Sequence, residues 1–233
     1  MYNELQLDNP VWFSLSNKES RFNAGNDQVK FFYQDVAPFL AAQHWDDADH
    51  KMMQEILPGD QKFYILKPGE IQLPQGFDVI YTTPIYQMVC HRFQPFLQKN
   101  IAVTPLERKN VPAMIDLAWR TKPGPYLERT IEFGPYISIQ ENGLIASMAG
   151  ERMHLEGMTE VSAVCTEPEH LGKGYASHLM SIICEQIIAR GETPYLHVRA
   201  DNDRAIKAYE RLGFSIRTDV FFAIIQKSPI SST

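Results

Sequence analysis

Apolar residues recur along this chain in two rhythms. In residues 29–40 the positions Val29, Phe32, Tyr33, Val36, Phe39 and Leu40 fall at helical spacing and predict an amphipathic helix. A second helix is predicted over 47–57, stopped by Pro58-Gly59. Short strands follow at 62–66, 78–82 and 86–91, each rich in aromatic or β-branched residues between Pro and Gly. Residues 92–105 read as the crossing into a second half.

That half opens with a helix over 111–120, for which Asn110 is the candidate N-cap and Pro112 a first-turn residue. After the loop TKPGPY, strands 135–140 and 144–150 are joined through Glu141-Asn142-Gly143, where Asn-Gly supplies the positive φ angles of a hairpin turn. A turn at Glu156-Gly157 leads to a third strand, 158–166, ended by Pro168. The helix predicted over 174–190 carries Leu179, Ile182, Ile183, Gln186 and Ile187 on one face and stops at Gly191. A strand over 194–200, a helix over 202–212 halted by Gly213, and a strand over 214–226 complete the order. The result is an α+β or mixed α/β fold: a mixed, mainly antiparallel sheet flanked by helices, with one parallel crossover through the 174–190 helix.

Composition narrows the class. The 233 residues, 44% of them hydrophobic, suffice for one large core or two of ordinary size. Lys and Arg number 22 against 28 Asp and Glu, a net charge of −6 with no basic cluster, which argues against nucleic acid as partner. Neither a basic-then-apolar leader nor an uninterrupted apolar run of membrane length is visible, so a cytoplasmic protein without membrane contact is expected. Cys90, Cys165 and Cys184 form no CxxC pair and read as buried small hydrophobes in a reducing compartment. The histidines form no HxxxH or HxH pair, so no metal is expected.

The most informative stretch is VSAVCTEPEHLGKGYA, in which a strand ends and two glycines open a helix. A helix start exposes unpaired N–H groups and the positive end of its dipole, which favours an anion. Gly172 and Gly174 lack Cβ atoms, so the backbone can approach a diphosphate closely, and Lys173 adds a cation. By itself such a loop also serves simply to shape a turn. The Walker pattern fails because Lys173 stands between the glycines, and the dinucleotide fingerprint fails at Ser177. Further on, in RADNDRAIKAYERLGF, Asn202 caps a helix on which Ala205, Tyr209 and Leu212 share a face.

Together these stretches resemble the GNAT superfamily of N-acetyltransferases, in particular a bacterial subgroup with an extra N-terminal region. The diphosphate motif [Q/R]-x-x-G-x-[G/A] is matched by residues 169–174 except at Glu169, and N-x-x-A-x-x-x-Y-x-x-x-G-F is matched by Asn202, Ala205, Tyr209, Gly213 and Phe214. TKPGPY, MAGER and QDVAPF extend a weaker resemblance over nearly the whole chain. The resemblance implies a GNAT-like fold at 101–233, with residues 1–100 as a smaller α/β lobe, itself GNAT-like in degenerate form or simpler. That lobe either covers the acceptor side or serves stability or dimerisation, so a second copy of the chain is a candidate partner. It also implies that acetyl-CoA is the co-substrate, held by Val164, Cys165, Thr166, Leu171, Gly172, Lys173, Gly174, Tyr175, Ala176, Asn202, Ala205 and Tyr209. Glu169 beside a diphosphate is repulsive unless it faces solvent or a cation.

The reaction so implied is direct attack by a primary amine, small or peptidic, on the acetyl thioester, without a covalent enzyme intermediate. A backbone N–H near Val164 or Cys165 would face the developing oxyanion. Tyr209, with a reference pKa of about 10, would protonate the leaving thiolate. Glu160 is the first candidate for the general base, with Glu151 and His154 behind it, and a water relay is the other route. Cys165 lacks a partner to make it an acyl-accepting nucleophile. A non-catalytic acyl-CoA sensor and a purely structural module are the competing readings. The net charge leans towards cationic acceptors such as polyamines or basic peptides.

Overall fold

The structure is a computed structural model and describes residues 4–69 and 72–229, so the outermost residues of the two expected domain spans lie outside it. Its strands are β1 (Val29–Phe31), β2 (Phe39–Ala42), β3 (Lys62–Pro68), β4 (Phe77–Cys90), β5 (Thr104–Leu106), β6 (Tyr136–Glu141), β7 (Leu144–Leu155), β8 (Met158–Thr166), β9 (Thr193–Arg199) and β10 (Phe214–Lys227). Its α-helices are α1 (Pro10–Ser16), α2 (Asp47–Ile56), α3 (Val111–Thr121), α4 (Tyr175–Ala189) and α5 (Asp203–Arg211). All ten strands join one sheet in the order β1-β2-β3-β10-β4-β9-β8-β7-β6-β5. The pairs β2–β3 and β8–β9 are parallel and the others antiparallel. The mixed sheet flanked by helices is the expected fold class, and α4 is the crossover between the parallel strands β8 and β9. The C-terminal strand β10 lies between β3 and β4, so strands from either side of residue 100 share one sheet.

Residues 29–40 depart from expectation: they form β1, a turn and β2, not a helix. The hairpin is buried on both faces. Phe31 and Leu40 enter one core cluster while Phe32 and Phe39 enter another. With no polar alternation to mark a strand, spacings of three and four mimic a helix. The strands expected at 78–82 and 86–91 are one continuous strand, β4. Pro84 is tolerated inside it because its carbonyl accepts from the Ala200 N–H at 3.0 Å, on the side where β9 has just ended, so the ladder does not need the missing donor. Asn110 does not cap α3 directly; Glu107 and Asn110 instead form a capping box around the preceding turn.

The hairpin at Asn142-Gly143 has φ angles of 52° and 80°, as Asn-Gly requires. Adjacent residues of β7 then feed opposite faces of the sheet. Ala149 packs with Leu179, Ile183, Cys184 and Ile187 of α4, and Met148 packs with Met114 and Leu117 of α3. On α4 the buried face includes Met180 and Cys184, whereas Gln186, expected on it, is exposed. Full burial of each such aliphatic side chain contributes about 1.5–3 kcal/mol, which pins both helices to the strands that carry the site.

Candidate active site

The site begins where two strands part. β8 pairs with β9 over Met158–Glu160 against Thr193–Tyr195, and no ladder continues beyond Glu160 and Tyr195 among the described residues. On its other edge β8 holds an extra residue: Ser162 faces Gly150 and Cys165 faces Met148, with Ala163 between them at a φ of 52°. Such a bulge bends the strand and takes a main-chain unit near Val164 out of the ladder. Val164 borders the opening, and Thr166 is tied at its hydroxyl to Ser147 at 2.8 Å.

The glycine loop lies at the end of the same strand. Gly172 and Gly174 have φ angles of 86° and 79°, a region that side chains bearing Cβ adopt reluctantly. A Cβ on Gly174 would also lie 2.8 Å from Gln98 Nε2 and 3.0 Å from the Phe96 ring. Gln98 Nε2 in turn donates to the Lys173 carbonyl at 2.9 Å, so the loop is held from the segment before β5. The first-turn amides of α4, at Tyr175 and Ala176, point out of the helix start as its geometry demands. Lys173 Nζ lies 2.8 Å from His170 Nδ1 and 5.7 Å from the Tyr175 ring centre, and the Tyr175 hydroxyl donates to Glu141. Leu171 is exposed. The side chain of Glu169 is 79% exposed and lies 3.3 Å from His170 Nε2, so its charge faces solvent and an imidazole.

On α5, the Asn202 side chain accepts from the Ala205 N–H at 3.1 Å, as expected, and Ala205 and Tyr209 pack against the core beneath. Tyr209 and Asn202 both line the opening. The Tyr209 hydroxyl has no hydrogen-bond partner among the described residues, and burial, with Cys165 nearby, pushes its phenol up to about 12. Burial likewise pushes the Cys165 thiol up to about 12, which leaves no thiolate at neutral pH for an acyl-enzyme.

Glu160 is fully buried at the point where the ladder ends. Both its oxygens accept from Arg152 at 2.8 Å, and Oε1 also lies 2.7 Å from His197 Nδ1. Burial raises the carboxyl, but the Arg152 charge and hydrogen bonds, with His197, bring it down to about 2. A carboxylate so engaged holds a proton weakly. Gln87 fixes the imidazole: its Oε1 accepts from Arg217 at 2.8 Å, so its amide N–H groups go to the Leu7 carbonyl at 2.9 Å and to His197 Nε2 at 3.1 Å. His197 therefore donates from Nδ1 to Glu160. The other candidate bases lie elsewhere. Glu151 bonds Arg190 and His154, and His154 Nδ1 lies 2.6 Å from Glu19, a buried cluster that does not border the opening.

A cavity of about 630 Å³ opens at Val164, Asn202 and Tyr209, while the glycine loop at residues 171–176 lies outside its lining. Val164, Val198, Asn202 and Tyr209 border one part, the α3 residues Ile115 and Trp119 with the Lys122–Leu127 loop another, and Phe39, Tyr64, Tyr81, Thr83 and Phe222 a third. Arg152 and His197 also line it. The aromatic wall, Arg152, His197 and Gln87 were not legible as site residues, because strands distant in sequence bring them together. The alternating aromatics at Tyr64, Tyr81 and Phe222 were the available signal.

Comparison with known proteins agrees with this geometry. The FR47-like protein family matches residues 139–223, from β6 to β10. The [ribosomal protein bS18]-alanine N-acetyltransferase of Escherichia coli (strain K12) is 29% identical over 122 residues, 50% of this chain and 82% of that enzyme. The mycothiol acetyltransferase of Corynebacterium aurimucosum is 41% identical over 58 residues, 24% of this chain and 19% of that one. A solved structure of a GNAT-family protein from Novosphingobium aromaticivorans DSM 12444 superposes with a TM-score of 0.87 at 33% identity, covering 96% of this chain and 99% of that one. At that identity over nearly the full length of both chains, this protein belongs to the GNAT superfamily of N-acetyltransferases and is an acyltransferase.

Proposed function

We propose that acetyl-CoA enters the opening between β8 and β9, and that an amine attacks its thioester directly from the aromatic side of the cavity. The observation that carries this reading is that, among the described residues, the β8–β9 ladder ends at Glu160 and the Tyr209 hydroxyl, which borders the same cavity as Val164, has no hydrogen-bond partner. Amides of residues 171–176, with Lys173, hold the diphosphate; Gly172 and Gly174 give it room. Main-chain groups of Val164, Cys165 and Thr166 bond the pantetheine arm, and Asn202 and Ala205 form its far wall. An N–H at the Ala163 bulge faces the carbonyl oxygen as negative charge develops there. Tyr209 gives its proton to the departing sulfur.

Glu160 has both oxygens engaged, so it acts here as a positioning residue that holds Arg152 and His197 at the wall, and the amine's proton leaves through water. Residues 1–100 form the acceptor-side lobe of a catalytic unit at 101–233, a reading supported by Phe39, Tyr64 and Tyr81 in the cavity wall. The named relatives are acetyltransferases, which favours turnover over a sensor. Following free thiol while the protein is incubated with acetyl-CoA and a panel of amines tests the reading; tight CoA binding without thiol release from any amine contradicts it.

A further inference from the structure

The acceptor side of the cavity carries its own chemical signature. Phe39, Tyr64, Phe222 and Tyr81 form a continuous wall, each meeting the next edge-on: Phe39–Tyr64 at 5.9 Å, Tyr64–Phe222 at 5.6 Å and Tyr81–Phe222 at 6.4 Å between ring centres. The Phe39 face is already covered by the Arg152 guanidinium, 4.6 Å from its centre. Rings set edge-on to one another, with the Phe39 face already taken by a cation, make an apolar wall on which a flat body can rest. The charged side chains that line the cavity are Lys122, Arg152 and Arg199, of which Arg152 is paired with Glu160 and Arg199 with Asp201, and among the described lining residues none is Asp or Glu. Glu160, behind the wall, is satisfied by Arg152 and His197. With both arginines paired, Lys122 is the remaining cation and no carboxylate among the described lining residues is available to a second ammonium, so the lean towards polyamines suggested by composition does not survive at the site.

We propose that the acceptor is a monoamine carried on an aromatic or similarly flat apolar body, bound as the free base, and that acceptors with a second cation are rejected; this rests on the cavity being the acyl-transfer site. Desolvation against an apolar wall that offers no carboxylate disfavours the charged form of a bound amine, so the wall that excludes polyamines also promotes loss of the ammonium proton before attack. The flat body rests on Tyr64, Tyr81 and Phe222, and burial of its apolar surface supplies the affinity.

The test compares kcat/KM for 2-phenylethylamine and spermidine at saturating acetyl-CoA, with thiol release as the readout. The aromatic monoamine is expected to exceed spermidine at least about tenfold, with kcat/KM rising with pH as the free amine accumulates. Thr83→Asp, which adds a carboxylate to the wall, is expected to narrow that ratio. Preference for spermidine in the unmodified protein overturns the proposal, as does CoA binding with turnover of neither amine. Absence of CoA binding instead overturns the assignment of the acyl-transfer site on which the proposal stands.

Discussion

Arg152 and Glu160 meet through two parallel hydrogen bonds of 2.8 Å, buried at the point where β8 and β9 separate. The pair seals the inner end of the opening, and His197 leans on it from β9. Arg152 lies on β7 directly opposite Glu160 on β8, and His197 ties β9 to the same carboxylate, so the pair governs both stability and the shape of the cavity wall.

Replacing Glu160 by Gln leaves the Arg152 guanidinium buried without its counter-charge and is expected to lower stability by about 3 kcal/mol, measured by urea unfolding. The folded carboxyl lies at about 2, below its ordinary value of 4.5, so its contribution is present above that ordinary value and is lost as pH falls through about 2. Wild type should lose stability across that acid window more steeply than Glu160→Gln.

Tyr209→Phe removes the proposed acid while keeping the ring. A fall in kcat of about 10²–10⁴-fold is expected, with little change in the KM for acetyl-CoA, measured by thiol release. Because the phenol is pushed up to about 12, the wild-type kcat should show no loss attributable to its ionisation up to about pH 10.

The two loop glycines separate strain from crowding. Gly172→Ala meets no atom within 4 Å and suffers the positive φ alone, about 1–2 kcal/mol. Gly174→Ala adds contacts of 2.8 Å to Gln98 and 3.0 Å to Phe96, so it should weaken CoA binding more, as calorimetry on both variants would show.

His154 sits between Glu151 and Glu19. Burial pulls its pKa down, but the two carboxylates outweigh that and raise it to about 9. Its contribution to stability is therefore complete below its ordinary 6.5 and is lost as pH rises through about 9. The thermal midpoint of wild type should drop between about pH 7 and 10, and that drop should flatten in His154→Gln.

The β6–β10 half was legible because its signals are local: Asn142-Gly143, the pair of glycines at α4, the cap at Asn202 and the stop at Gly213. The rest depends on pairings that no window reveals. β10 inserts between β3 and β4, strands far away along the chain (Val220 opposite Pro68 on one side and Ile85 on the other), so the edge or centre status of those strands could not be read from their own residues. The β1–β2 hairpin, buried on both faces, carried no alternation. Arg152, Glu160 and His197 come from three strands; Arg152 faces Glu160 across the turn at Glu156-Gly157, a pairing that depends on the exact hairpin register, and His197 arrives from β9 beyond α4.

Titration of CoA into the intact protein by calorimetry tests the central claim most directly. Saturable heat with a dissociation constant in the micromolar range, abolished or weakened at least tenfold by Gly174→Ala, is the predicted result. Heat absent from CoA and acetyl-CoA alike at millimolar concentration would contradict it.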